Sequence, residues 1–322
     1  MADIVMPPSG AGAGAGAGAG TLDRETRNAL KALSAPSDVA GLRQLAGHAG
    51  LIALAAAAVY ASQRAWGPWA ALPFQAVLGV FLVFLFAPLH ETIHRTAFAS
   101  RRLNDALALG AGAILILPPQ YFRAFHLAHH RYTQIPGQDP ELAGRLISGF
   151  AGYALYLSGL PYWRAAVAGL TGRALGRTAE PFLTDRIAPA VVTEARLYLA
   201  FYGTVAAISV AMGSAAVLTY WLVPVLLGQP FLRFYLLAEH NLCPQVADMF
   251  RNTRTTLTLG IVRFLAWNMP YHCEHHAFMA VPFHRLPDAH RLLRNRIETI
   301  SPGYLPFHRH FIRGLSALPV SD

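Results

Sequence analysis

Long stretches without a charged residue are the feature that most limits how this chain can fold. No charged residue occurs between Arg196 and Arg233, and apolar character continues to Ala238. A helix of about 20 predominantly apolar residues crosses a hydrocarbon core about 30 Å thick, so this run is too long for a single span. Gly213-Ser214, near its middle, is suited to a turn between two membrane helices.

Two earlier runs have the same character. One lies between Arg43 and Arg64 and is rich in alanine, and the other extends from Ala65 to Leu89. Only 13% of the residues are charged, whereas a soluble domain carries roughly 25%. We therefore predict an all-α integral membrane protein with four transmembrane helices in two hairpins.

Two weaker apolar segments lie at 106–118 and 146–170. The first is too short to cross a membrane and ends in Pro118-Pro119, and the second contains Arg164. If residues 106–118 crossed, the histidines before and after them would lie on opposite faces of the membrane. We predict a re-entrant or shallow segment at 106–118, and a shallow helix or a returning hairpin at 146–170.

The positions of the basic residues predict how the chain is oriented in the membrane. The loop at 62–68 carries only Arg64, and the turn near Gly213 carries no basic residue. Because cytoplasmic loops carry an excess of Lys and Arg, we place both termini in the cytoplasm. The net charge of +9 does not indicate nucleic-acid binding, since the basic residues flank apolar runs and form no groove-like cluster. Residues 282–302 fit either an amphipathic helix on the inner membrane surface or a solvated helix packed on the protein.

The beginning of the chain has low complexity. Residues 10–20 alternate Gly and Ala, so we predict a disordered region at 1–40, followed by one membrane-embedded domain at 41–322. Strict alternation excludes the dinucleotide fingerprint GxGxxG, and no signal peptide is apparent. Cys243 and Cys273 are too few for a disulfide framework, and we expect both to be free thiols.

Nine of the 14 histidines fall in four short segments. These are an HxxxH box at 90–94, an HxxHH box at 126–130, one histidine after the last apolar run and an HxxHH box at 272–276: His90, His94, His126, His129, His130, His240, His272, His275 and His276. Residues three and four apart share one face of a helix, so each box can aim two imidazoles at one point. The adjacent histidine of each HxxHH box can reach a second point.

This number of imidazoles points to two metal ions. Neutral imidazole binds Fe, Zn, Cu and Ni. A zinc ion is usually complete with about four ligands, so nine imidazoles exceed what one ion can use. The first box lies at the inner end of the second predicted span, and His240 lies at the inner end of the fourth. All nine can therefore meet at one membrane–water boundary.

The first box also matches HExxH, the zinc-protease motif in which the glutamate is the general base. An intramembrane zinc metalloprotease would use one further ligand and leave both HxxHH boxes unexplained. We predict instead that Glu91 orients an imidazole from outside the metal site. The same role is open to Glu239 and Glu274, each of which could equally be a solvated residue.

The remaining histidines are expected to be ordinary surface or interfacial residues: His48, His284, His290, His308 and His310. Cys273 lies within the third box, where a thiolate could bind metal. Its offset from His272 directs it away from the face that the histidines share, so we leave it out of the site.

The three boxes HETIH, HLAHH and HCEHH, in this order, resemble those of the membrane fatty acid desaturase and hydroxylase superfamily. Residues 267–276 (WNMPYHCEHH) and 281–287 (VPFHRLP) are similar to its short bacterial members, and the resemblance covers roughly residues 45–300. Met279 departs from the proline expected after the third box. His272 stands where front-end desaturases fused to cytochrome b5 usually have glutamine, which weighs against that subgroup.

The resemblance implies four membrane helices capped by a cytoplasmic helical domain that carries a non-haem di-iron site. It implies that the eight histidines of the three boxes bind two Fe ions, and His240 is similar to the extra ligand that many members take from the end of the fourth span. O2 would be the co-substrate. The implied location is a bacterial inner membrane, with the active site facing the cytoplasm.

Oxidation of an unactivated aliphatic C–H bond requires an oxidant that no side chain supplies. Because desaturases are the larger group in this superfamily, the resemblance favours an acyl-lipid desaturase. A hydroxylase or ketolase of a hydrocarbon, fatty acid or carotenoid is the alternative. The zinc protease and a non-enzymatic metal-binding protein rank last. Electrons would come from a separate carrier, such as a ferredoxin, a rubredoxin or cytochrome b5 with its reductase.

The substrate is expected to be long and apolar and to enter from the bilayer. Five aromatic residues are close enough in sequence to line its path, although helix packing is the simpler role for most of them: Phe81, Phe84, Phe86, Tyr121 and Phe122.

Overall fold

The computed structural model describes residues 22–144 and 147–316, most of which are helical. The helices are α1 (Arg24–Leu33), α2 (Asp38–Trp66), α3 (Leu72–Val83), α4 (Phe86–His94), α5 (Arg101–Leu115), α6 (Pro119–Tyr132), α7 (Gly149–Ser158), α8 (Leu160–Ala174), α9 (Ala188–Ala211), α10 (Val223–His240), α11 (Met249–Asn252), α12 (Gly260–Leu265), α13 (His272–Ala277), α14 (Leu286–Leu293) and α15 (Tyr304–Ser316). Two short strands, β1 (Thr255–Thr256) and β2 (Ile300–Ser301), pair in parallel. Apart from this pair, the described residues agree with the predicted all-α class.

Four helical stretches are long and apolar enough to cross a membrane: Asp38–Trp66, Pro68–His94, Ala188–Ala211 and Leu218–His240. They coincide with the four predicted spans. The break between the last two falls at residues 212–215, where Gly213 has a φ of 58°, so the predicted turn is confirmed. Glycine adopts this left-handed conformation without a steric penalty.

The second and fourth spans pack with their backbones in contact. A Cβ added to Gly79 would lie 1.9 Å from the Pro224 carbonyl oxygen, and one added to Gly228 would lie 2.2 Å from the carbonyl carbon of Gly79. Small residues allow membrane helices to approach this closely. The crossing of α3 and α10 therefore holds together the two spans whose C-terminal ends carry histidines.

A sharp bend follows α5. The axes of α5 and α6 differ by 95°, which is the geometry of a broken span or a re-entrant loop and agrees with the prediction for 106–118. Ile116 at the bend has a φ of 53°, unusual for a β-branched residue. The last three carbonyls of α5, at 113–115, accept hydrogen bonds from Tyr202, Trp221 and Tyr162 at 2.8, 2.9 and 2.9 Å. Aromatic donors thus satisfy carbonyls that a helix end leaves unpaired.

Two sequence predictions need correction, and a third is narrowed to one of its alternatives. Helix α1, capped by the Asp23 side chain, lies within the range 1–40 predicted to be disordered, and residues 1–21 lie outside the described residues. Of the two alternatives predicted for 146–170, one continuous helix is excluded and the hairpin remains, because α7 ends at Ser158 and Gly159, with a φ of 71°, separates it from α8. The segment 282–302 is not one helix either. It forms a 3-10 turn, the eight-residue α14, another 3-10 turn and then β2, because β2 pairs with β1.

Candidate metal centre

Four helices bring the nine predicted histidines into one cluster. Helix α4 carries two, α6 carries three, α10 ends with one and α13 carries three. Eight of the nine are buried, and His94 is partly buried. Segments separated by up to 186 positions in the sequence, from 90 to 276, therefore meet as the spacing predicted.

One part of the cluster is the five-histidine group, formed by His90, His94, His126, His130 and His275. Each residue offers one ring nitrogen, and these atoms all lie within 4.8 Å of one another. The Nε2 atom of His130 lies 2.8 Å from that of His126 and 3.2 Å from that of His275.

The other part is the four-histidine group, formed by His129, His240, His272 and His276. Ring nitrogens of His129, His240 and His276 lie within 4.8 Å of one another. The Nε2 atom of His272 lies 3.1 Å from the Nε2 atoms of both His240 and His276. The two groups are adjacent, because the rings of His130 and His276 stack with their centroids 4.0 Å apart.

The donor set fits two metal ions. Two nitrogens bound at about 2.1 Å and at right angles lie about 3 Å apart, close to the separations observed here. Burial, followed by the neighbouring histidines, holds the pKa values of His272, His275 and His276 well below the ordinary value, so these rings are neutral. Both nitrogens of His90 and Nε2 of His94 are buried with no hydrogen-bond partner among the described residues. Neutral imidazoles with free lone pairs are metal ligands.

Asp139 holds His129 in its binding orientation. The Asp139 Oδ1 atom lies 2.9 Å from His129 Nδ1, and both side chains are only 1% exposed. Backbone amides of Gln134 and Glu141 also donate to this carboxylate, at 2.8 and 2.9 Å. Burial raises the pKa of Asp139, but its contacts with His129 and these amides outweigh burial and the net pKa is lowered. The ionised carboxylate accepts the Nδ1 proton, so Nε2, which lies 3.2 Å from His240 Nε2, is the nitrogen that could hold a metal.

Two other members of the four-histidine group are oriented in the same way. The Thr133 hydroxyl donates to a carbonyl of α6, so it accepts from His276 Nδ1 at 3.2 Å. The carbonyl of Asn252 lies 3.3 Å from Nδ1 of His240. Asp139, Thr133 and Asn252 were not predicted, because none stands at a helical spacing from the histidine ring that it contacts.

The prediction that Glu91 orients an imidazole is wrong. Its Oε2 atom accepts from the Thr96 hydroxyl at 2.8 Å and from the Phe283 amide at 3.2 Å. Among the described residues, no histidine nitrogen lies within 4.0 Å of this carboxylate. Glu91 therefore does not occupy the position that a zinc-protease base needs beside a metal-bound water.

The other two glutamates differ from each other. The Glu239 Oε1 atom lies 3.6 Å from His272 Nδ1, beyond hydrogen-bond distance, so its orienting role stays a prediction. Glu274 is fully buried and accepts hydrogen bonds from Thr255, at 2.5 Å, and from His290, which is not one of the nine histidines. Glu274 thus connects α13 to β1 and α14.

Three histidines predicted to lie at the surface are buried instead. His48 lies 2.8 Å from the Phe81 carbonyl, His308 lies 2.8 Å from the Phe234 carbonyl, and His290 contacts Glu274. Of the other two, His310 is exposed and His284 is partly buried. The prediction failed because a single histidine carries no periodic signal that separates a core residue from a surface one.

The two cysteines are free, as predicted. Cys273 is buried with its Sγ atom 3.3 Å from the Met249 carbonyl, and it does not belong to either histidine group. The exclusion of Cys273 from the metal site stays a prediction, and this position agrees with it.

Two of the five aromatic candidates lie against the cluster. The Phe86 ring is 6.2 Å from that of His90, and the Phe122 ring is 5.4 Å from that of His126. The two phenylalanine rings are 5.5 Å apart. Tyr121 instead packs under the guanidinium of an arginine on α8, 3.6 Å away.

Comparison with known proteins agrees with this geometry. The family model described as fatty acid desaturase matches residues 66–308, which include all nine histidines. The chain is 25% identical over 240 residues to the sphingolipid delta(4)-desaturase/C4-monooxygenase DES2 of Bos taurus. The alignment covers 70% of this chain and 65% of the relative, so the chain spans slightly less than two thirds of that protein's length.

Proposed function

Since the chain belongs to the fatty acid desaturase family, we propose that this membrane oxidoreductase uses O2 and two iron ions to introduce a double bond into the hydrocarbon chain of a lipid. The proposal rests above all on one observation. Nine histidines form two adjacent buried groups whose ring nitrogens are close enough to share metal ions.

The residues of this chain would hold the metals in two unequal sites. The five-histidine group would hold one iron and the four-histidine group the other, with His240 as a direct ligand. Bound iron would supply the activation of O2 and the oxidation of the C–H bond. Asp139, Thr133 and Asn252 would keep Nε2 of their histidines unprotonated toward the second iron.

Two phenylalanines beside the five-histidine group suggest where the hydrocarbon chain of the substrate would lie. Phe86 and Phe122 adjoin His90 and His126, so an apolar chain lying along these rings would reach the five-histidine group while water is excluded. We propose that the substrate enters from the bilayer and that a separate carrier supplies electrons: a ferredoxin, a rubredoxin or cytochrome b5 with its reductase.

The proposal also includes a membrane topology. We propose that residues 41–322 form one membrane-embedded unit with two helical hairpins and a cytoplasmic cap that includes α11–α15. Both termini and the metal site would face the cytoplasm of a bacterial inner membrane. The loop between α2 and α3, with Trp66 and Trp69 at 72% and 82% exposure, would lie at the opposite interface, where tryptophan is enriched.

Hydroxylation or ketolation is the second candidate function. The name of the bovine relative includes both a desaturase and a C4-monooxygenase, so related sites support either outcome. Both outcomes start with removal of one hydrogen from the chain. They differ in whether a second hydrogen leaves or oxygen is added to the carbon.

Metal analysis and lipid profiling test the proposal together. The purified protein should contain about two iron ions per chain, whereas one zinc would favour a metalloprotease. Lipids from cells that express the protein should show a loss of two hydrogens for desaturation or a gain of oxygen for hydroxylation. Cells that express His129→Ala should show neither, and those with the exposed control His310→Ala should match the wild type. Product formation by the His129 variant would contradict the proposal.

A further inference from the structure

Arg123 in α6 is a cation with unused hydrogen-bond donors. Its Nε and Nη1 atoms are buried and have no hydrogen-bond partner among the described residues. A guanidinium stays charged and carries five N–H donors in a planar fork, so burial without an acceptor is unfavourable. No group among the described residues accepts a hydrogen bond from these two donors.

The place of Arg123 in α6 relates it to the metal site. It precedes His126 by three residues and His130 by seven, so all three lie on one face of α6. That face carries two members of the five-histidine group. The guanidinium also acts electrostatically on the His94 ring, which is a third member of the five-histidine group.

The two histidine groups have different charge environments. The four-histidine group has carboxylates close by, since Asp139 and Glu141 lie 2.9 and 3.7 Å from His129, and Glu239 lies 3.6 Å from His272. Within residues 22–144 and 147–316, no carboxylate lies within 4.0 Å of the five-histidine group. An anion would therefore be attracted to the side that carries Arg123.

One nearby carboxylate does not fill this role. Asp105 acts on Arg123 electrostatically. Its carboxylate, however, lies 3.9 Å from Arg101, and both of those side chains are 49% exposed. Asp105 is thus a solvated surface residue that leaves the buried donors of Arg123 unsatisfied.

We propose that Arg123 binds the oxyanion head group of the lipid substrate, and this inference rests on the proposed function. Carboxylate and phosphate both match the fork of a guanidinium, which can form two parallel hydrogen bonds to either. Binding the head group one to two helical turns from His126 and His130 fixes the distance from the head group to the reacting C–H bond. Arg123 is then a specificity-determining residue that selects the carbon to be oxidised.

A binding measurement tests the site without turnover. The probes are dodecanoate, dodecyl phosphate and the neutral dodecanol, and the readout is the Tm of the purified iron-loaded protein as a function of probe concentration. The variants are Arg123→Gln and the matched control Arg102→Gln, an exposed arginine of α5. Loss of a charged hydrogen bond should weaken binding of the anionic probe by about 10–100-fold in Arg123→Gln and leave dodecanol binding unchanged.

The two anionic probes separate a carboxylate head group from a phosphate one. Stronger binding of either anion than of dodecanol, lost in Arg123→Gln and kept in Arg102→Gln, supports the site. Equal binding of all three probes by the wild type, or unchanged anion binding by Arg123→Gln, overturns it. Two measurements show whether Arg123→Gln has folded. These are its iron content and its Tm without a probe, each compared with the value for Arg123→Lys.

A product analysis tests the positional role. Substrates of different chain length are supplied, and the oxidised carbon is located by mass spectrometry. The wild type and Arg102→Gln should oxidise a carbon at a constant number of bonds from the head group, whereas Arg123→Gln should give a mixture of positions. A constant count from the methyl end in the wild type, or an unchanged position in Arg123→Gln, contradicts the inference. If the wild type oxidises no lipid, the proposed function fails, and the binding measurement alone decides on Arg123.

Discussion

Replacing Asp139 by Asn tests how far a residue outside the metal site controls iron binding. Asp139 accepts from His129 Nδ1 at 2.9 Å and from two backbone amides, so each of these three partners is a donor. An asparagine places an NH2 group against one of these donors. If that donor is His129, the imidazole proton moves to Nε2 and blocks the lone pair that iron needs.

The expected loss of iron affinity follows from the burial of Asp139 and His129. Both side chains are 1% exposed, so water neither screens the lost charge nor replaces the lost hydrogen bond. Removing a partner that orients a metal-bound histidine lowers metal affinity by about 10–100-fold. At about 1.4 kcal/mol per factor of ten, this corresponds to about 1.4–2.8 kcal/mol. A hydrogen bond to a charged group contributes about 1.5–3 kcal/mol, which is the same range.

The assay is iron binding by the purified apoprotein at controlled free Fe²⁺ concentrations, with lipid oxidation as the second readout. Asp105→Asn is the control, because its carboxylate is 49% exposed and lies 3.9 Å from its nearest cation. Asp139→Asn should lose affinity for one of two irons, and Asp105→Asn should bind both as the wild type does. An affinity for both irons within about twofold of the wild type in Asp139→Asn would refute the reasoning.

Three further substitutions probe the site and the fold. His129→Ala should abolish lipid oxidation while the protein remains in the membrane fraction, because it removes one proposed ligand and alters none of the four apolar spans; retained activity would count against the site. Gly228→Ala places a methyl group 2.2 Å from the backbone of Gly79 and should destabilise the protein by about 1–3 kcal/mol in thermal unfolding. Its control, Gly203→Ala, meets no atom within 4 Å and should not lower the Tm. Cys273→Ser should keep the full iron content, since its Sγ atom faces a carbonyl outside both groups; loss of iron would make the thiol a ligand.

The spans and the grouping of the nine histidines are the parts of this protein that its sequence predicts well. A span needs a continuous apolar run, and a pair of ligands on one helix needs a spacing of three or four residues. Both are local patterns. The nine histidines could be grouped from spacing and predicted topology alone, although they come from four helices.

Residues that act through tertiary contacts could not be predicted in this way. Asp139 follows His129 by ten residues in a loop, and the group that contacts His240 is a backbone carbonyl, which every residue possesses. Glu91 was assigned from its place in a motif, but its carboxylate bonds to Thr96, five residues along the chain. Only the folded chain shows which of several nearby polar groups faces an imidazole.

The end of α5 has a consequence for the order in which the protein can be assembled during translation. Three carbonyls of α5 depend on Tyr162, Tyr202 and Trp221, all of which the ribosome adds later. Until residue 221 has emerged, the nascent α5 has at least one polar backbone group that hydrocarbon cannot solvate. The end of α5 is therefore completed only after the fourth span, which contains Trp221, has begun to be made.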